Sequence, residues 1–162
     1  MDLIEILKQS KYGEMLITFV VSMVPVLELR GAIPLGVSMG LSHMAAMLVS
    51  ILGNMVPVPF IILFIRRIFE WLSQRSDKLR RLVERLEVRA EGKWDKVHRY
   101  QFFGLLVLVA IPLPGTGAWT GALIAALMNM RLKNAMLSIF LGVIVAGVLV
   151  TGLTFGFTSL IS

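Results

Sequence analysis

A carboxylate and a guanidinium, Glu28 and Arg30, stand two residues apart in an otherwise apolar stretch framed by prolines, Pro25-Val26-Leu27-Glu28-Leu29-Arg30-Gly31-Ala32-Ile33-Pro34. Charged side chains at membrane depth are costly unless paired or neutralised, and they mark routes for substrates or ions. Two apart, they face different ways on a helix but the same way in an extended loop, and the loop makes them neighbours. Glu28 would then alternate between an ion pair with Arg30 and a neutral, protonated state, which is the chemistry of proton coupling. The plainer reading is a structural ion pair that steadies the bend or lies among lipid headgroups.

The interruption recurs as Pro112-Leu113-Pro114-Gly115-Thr116-Gly117-Ala118-Trp119-Thr120-Gly121. Non-helical backbone at membrane depth is tolerated only where protein covers it or water fills a cavity, so both breaks are expected to face an interior. Pro34 suits the first turn of a returning helix, and Thr116 or Gly117 can open the helix that carries Trp119 and Thr120. Two half-helix N-termini would then meet at the membrane centre with free N–H groups, a setting for an anion such as phosphate or carboxylate, and Arg30 adds a full positive charge. The candidate site is therefore Glu28, Arg30, Gly31, Pro34, Pro112, Pro114, Gly115, Thr116, Gly117, Trp119 and Thr120, with Glu28 as the proton-coupling residue. Trp119 as an interface anchor and Thr120 as a backbone cap are the plain alternatives.

The elements that must hold these residues are membrane helices. Hydrophobic residues make up 57% of the 162 and the mean hydropathy is +0.83, well above a soluble domain with a solvated surface. No cysteine is present, which removes disulfides, thiolate catalysis and Cys-based metal sites, and the isolated His43 and His98 form no ligand cluster. No cofactor, no metal and no enzymatic activity are expected. Asp2, Glu5 and Glu14 argue against a cleaved signal peptide.

The arm Met15–Leu27 would be only ~20 Å long as a helix and the returning arm Leu35–Leu41 only ~10 Å, against a hydrocarbon core of ~30 Å. The expected fold is thus all-α and integral to the membrane: an inverted repeat of re-entrant hairpin plus transmembrane helix, with an amphipathic cytoplasmic helix between the halves. Residues 1–65 form the first half, 66–101 the basic segment and 102–162 the second half of a single membrane domain. The hairpins are Met15–Leu41, closed by Ser42-His43, and Phe102–Met130, closed by Arg131-Leu132-Lys133-Asn134; Met44–Ile65 and Ala135–Ser159 cross. Pro25 aligns with Pro112, and, after a shift of two residues, Ala46-Met47-Leu48 and Leu52-Gly53 align with Ala135-Met136-Leu137 and Leu141-Gly142. Four ordinary crossings with proline kinks are the competing topology. Asn54, Pro57 and Pro59 can kink the first crossing helix and place an amide inside the bundle.

Of the sixteen Lys and Arg residues, eleven lie within Arg66–Arg99, and Arg131 and Lys133 fall on the same side in this topology. The positive-inside rule then makes 66–101 cytoplasmic and leaves both termini outside the inner membrane. Leu79, Leu82, Val83, Leu86, Ala90, Trp94 and Val97 form an apolar stripe with charges between them, an amphipathic helix for anionic headgroups, a dimer contact or plain solvent. Its interleaved acids argue against nucleic acid.

Glu28-Leu29-Arg30-Gly31-Ala32-Ile33-Pro34 and Pro112-Leu113-Pro114-Gly115-Thr116-Gly117-Ala118-Trp119 together resemble the small multidrug export protein family, itself similar to the wider DedA or SNARE-associated membrane proteins. The resemblance implies paired re-entrant hairpins in a transporter or lipid scramblase, and the DedA-like proteins flip a polyprenyl-phosphate carrier inward or support proton-dependent drug tolerance. The second break departs from DedA proteins, which carry arginines around its Pro-Gly pair. The expected function is translocation of an anionic lipid such as polyprenyl (undecaprenyl) phosphate, with proton coupling at Glu28. The rivals are proton-coupled export of cationic drugs, with Glu28 as counter-ion, and a scaffold that transports nothing. Too few crossing helices shield two irregular loops, so a homodimer or larger homo-oligomer is expected in the bilayer.

Overall fold

The computed structural model describes residues 11–75, 77–78, 80–81, 94–113 and 115–161. Among the described residues, seven helices follow one another: α1 (Lys11–Ser22), α2 (Glu28–Ser38), α3 (His43–Met55), α4 (Pro57–Arg75), α5 (Trp94–Ala110), α6 (Ala118–Leu127) and α7 (Leu132–Ile161). Most of the stripe expected for the amphipathic helix lies outside the described residues.

The order is short helix, break, short helix, turn, long helix, and it occurs twice. Helix α1 tightens at its end, where Met23 and Val24 donate to carbonyls three residues back (3.1 Å each), and it stops two residues short of Pro25. Helices α2 and α6 end alike. Leu41 N–H reaches the carbonyl of Gly36 and Gly40 that of Val37, with Gly40 at φ 112°; Met130 reaches Ala125 and Asn129 reaches Ala126, with Asn129 at φ 50°. Each is a left-handed cap followed by a buried apolar residue, Leu41 or Met130. These pairs are in register in the sequence alignment of the halves.

The long helices repeat the pattern too. A side chain at Gly53 would run into the Phe19 carbonyl and the Ser22 hydroxyl of α1, and one at Gly142 into the Leu106 carbonyl (2.8 Å) and Val109 of α5. Phe19 aligns with Leu106 and Ser22 with Val109, so the same close approach is built at matching places. Without a hydrophobic driving force between helices in lipid, such small-residue contacts are what packing relies on.

Helix α1 lies on α3 and α5 on α7, while α2 packs against both α3 and α7 and α6 against both α4 and α7. Each short returning helix thus also touches the other half. The buried face of α6 is made of Ala118, Gly121, Ala122, Ala125 and Ala126, small enough for close seating. Pro57 has no N–H for the Gly53 carbonyl, which Val56 takes instead at 3.2 Å, and the helix breaks there between α3 and α4. Across that break His43–Ile68 remains one apolar stretch of 26 residues, as does Leu132–Phe157, each ~39 Å long. Large apolar side chains such as Phe60, Phe64, Leu52, Val148 and Leu153 lie exposed along them, a surface suited to lipid rather than water.

Several expected boundaries move. The first break is confined to Met23–Leu27, so the returning arm is Glu28–Ser38 rather than Leu35–Leu41. Pro34 lies inside α2, well past its first turn, because the helix restarts at Glu28, whose φ of 47° turns the chain sharply. The second turn precedes Leu132, where α7 already begins, rather than spanning Arg131–Asn134.

Candidate functional site

Glu28 and Arg30 sit in the first turn of α2, not in an extended loop, so they point different ways. Among the described hydrogen bonds, those of their side chains go to the second break and none joins the two. The buried Glu28 carboxylate accepts the Trp119 N–H at 3.2 Å, with the Ala118 N–H beside it, at the very start of α6. Gly117, the N-cap of α6, offers no side chain to do this. A carboxylate brought from the other half of the molecule therefore satisfies the free N–H groups and the positive end of the α6 dipole.

Arg30 serves the opposite side of the same break. It donates to the carbonyl of Leu113, to that of Ile111 at 3.0 Å and to the Thr116 hydroxyl at 3.1 Å, so its guanidinium gathers the acceptors left where α5 ends. One turn of α2 thus supplies an anion to the start of α6 and a cation to the end of α5. No hydrogen bond joins Glu28 to Arg30, because two steps along one helical turn aim the side chains about 200° apart and the broken helix offers each a complementary partner, although the two charges still attract.

The clamp is returned in kind, since the Trp119 indole N–H reaches back to the Met23 carbonyl in the first break at 3.1 Å. The single Thr116 hydroxyl proton is shared between the carbonyls of Ile111 (2.8 Å) and Leu113 (2.9 Å), and Thr120 donates to that of Gly115 (2.9 Å), so both threonines fold the break onto itself. Gly115, at φ 83°, makes an exposed turn that a side chain would strain. Gly117 is required for space: a Cβ there would collide with the Glu28 carboxylate. Gly31 faces Leu27 one turn back, Pro34 is exposed and leaves the Arg30 carbonyl without its helical donor, and Pro112 is half-buried. Pro114 lies outside the described residues.

One narrow cleft joins Glu28 and Arg30 to Asn54, Val109, Val143 and Ala146. Asn54 is fully buried and its amide has no hydrogen-bond partner. The sequence allows that amide inside the bundle, with no sign that it borders the clamp. Gly117 as a seat for a carboxylate and Met23 as an acceptor were also hidden, since both depend on contacts between halves. Among the described residues no group of acidic and histidine side chains is arranged to hold a metal.

Among the described residues, paired short helices, two long apolar spans and an apolar exterior fit a small α-helical membrane protein. The family model described as "Putative small multi-drug export protein" matches residues 28–149, from the clamp to the last helix, and the chain belongs to that family. No curated protein and no solved structure matches it.

Proposed function

We propose that the protein is a transporter that moves an anionic amphiphile, of the kind polyprenyl phosphate represents, across the cytoplasmic membrane without altering it chemically. The observation that carries this reading is the Glu28 carboxylate on the start of α6. A helix N-terminus that holds a carboxylate is an anion site, and here the anion is tethered. A phosphate headgroup that displaces Glu28 gains the same N–H groups and has Arg30 close by, and protonation of Glu28 would favour the exchange. In this reading the two helix pairs are re-entrant and the halves inverted, with their broken tips at mid-membrane. Arg66 donates to the Met130 carbonyl, which supports one basic, cytoplasmic end shared by Arg66, Arg67, Arg131 and Lys133. Val26 is 88% exposed and Leu113 55%, so a second copy covering the breaks completes their shielding from lipid.

The family description favours a second reading, export of cationic drugs with Glu28 as their counter-ion. Liposomes containing the purified protein separate the two. Movement of a labelled polyprenyl phosphate, and none of a lipophilic cation, is the expected result; movement of the cation alone would establish the rival, and movement of neither would remove both.

A further inference from the structure

Helices α3 and α7 meet along faces that should be apolar, yet polar atoms without partners are strung along them. On α3, His43, Met47, Ser50 and Asn54 lie on one stripe at three- and four-residue steps. Ser50 and Asn54 are both fully buried. The Nε2 of His43, the hydroxyl of Ser50 and both polar atoms of the Asn54 amide have no hydrogen-bond partner, and neither has the buried hydroxyl of Thr151 on α7. Thr151 lies on the α7 face that meets α3, one turn from Gly147, which sits against Met47 and Ile51, and one turn from Phe155, whose ring meets that of His43 at 5.4 Å. At the inner end of the row, Asn54 borders the same cleft as Glu28, Arg30, Val143 and Ala146. The remaining buried unpartnered atoms among the described residues are the Nε atoms of Arg30, in that cleft, and of Arg66.

Buried polar groups in native proteins are satisfied with few exceptions, and a run of exceptions on one seam needs a physical reason. Apolar side chains would pack this interface at lower cost if it stayed closed. Groups that lack partners while two helices touch acquire them when the helices separate and water enters.

We propose that α3 and α7 part along this seam to admit a file of water between the membrane surface at His43 and the clamp at Glu28 and Arg30. The His43–Phe155 contact closes its outer end. The path rests on the transport reading for its purpose, because a headgroup or a proton bound for the clamp needs a hydrated approach, but its wetting is measured without any substrate.

The chain has no cysteine, so single ones report access directly. In proteoliposomes, Ser50→Cys and Thr151→Cys should react with a small, charged, membrane-impermeant thiosulfonate at least ten times faster than Leu52→Cys and Val148→Cys, whose side chains face outward. Thiolate forms only where water reaches, so seam cysteines no faster than these controls would overturn the proposal. Should either seam variant fail to fold, hydrogen–deuterium exchange of the unaltered protein decides. Amides of residues 46–54 should then exchange at least ten times faster than those of 105–110, which pack under Gly142, and equal protection of both would overturn it. Seam access without transport would leave the path standing and remove the proposed function.

Discussion

At the scale of single residues, the clamp makes demands that ordinary conservative substitutions cannot meet. Gly117→Ala keeps the backbone but drives a methyl group into the Glu28 carboxylate. The carboxylate must leave the α6 N-terminus, and we expect a loss of about 3 kcal/mol, read as a lower unfolding midpoint in detergent. Arg30→Lys keeps the charge but loses the planar fork that spans Ile111, Leu113 and Thr116, so stability should fall by about 1–3 kcal/mol on the same measurement. An unchanged midpoint for both variants would mean that the clamp holds nothing together. The residue types of this site were legible in the sequence, since Glu28, Arg30, Gly117 and Trp119 all stand in the two proline-framed stretches. Their pairing was not. A carboxylate two positions from an arginine suggests an internal pair, and only the crossing of the halves shows that each charge answers a different end of one broken helix.

At the scale of elements, the repeat is the test of how well local signals travel. The turn signals were legible only in part: Ser42, in the expected first closure, caps α3 by accepting the Ala45 N–H at 3.3 Å, whereas the left-handed turns at Gly40 and Asn129 lie just before the expected closures and were not read. Pro34 misled because a proline inside a helix and a proline at its first turn look alike in sequence; α2 tolerates it on an exposed face, at the cost of one backbone hydrogen bond. Equivalent substitutions should have equivalent consequences if the two halves are built alike. Gly53→Ala and Gly142→Ala each push a methyl group into a carbonyl of the helix alongside, α1 or α5, and each should destabilise by about 2 kcal/mol. A large loss at one and none at the other, in parallel unfolding curves, would show that the matched contacts do different work.

At the scale of the whole molecule, function depends on how the halves sit in the bilayer. Composition and the two long apolar stretches already pointed to a membrane protein, and the family match agrees. The re-entrant, inverted arrangement is our proposal, and it predicts that a cysteine at Ser42 labels from outside and one at Asn134 only from inside. Labelling of both from one side would require a different threading. The lipid-phosphate reading is likewise a proposal, and its physical support is local, in a helix N-terminus already holding an anion.

That support is tested most directly by the affinity of purified protein for a soluble short-chain polyprenyl phosphate, compared between the wild type and Glu28→Gln. Glutamine can still accept an N–H from α6 but brings no charge, so it is the weaker competitor for the site. Binding should be at least ten-fold tighter in the variant, with little change in the unfolding midpoint. Weaker or unchanged phosphate binding by a well-folded Glu28→Gln protein, together with loss of binding to a lipophilic cation, would contradict it.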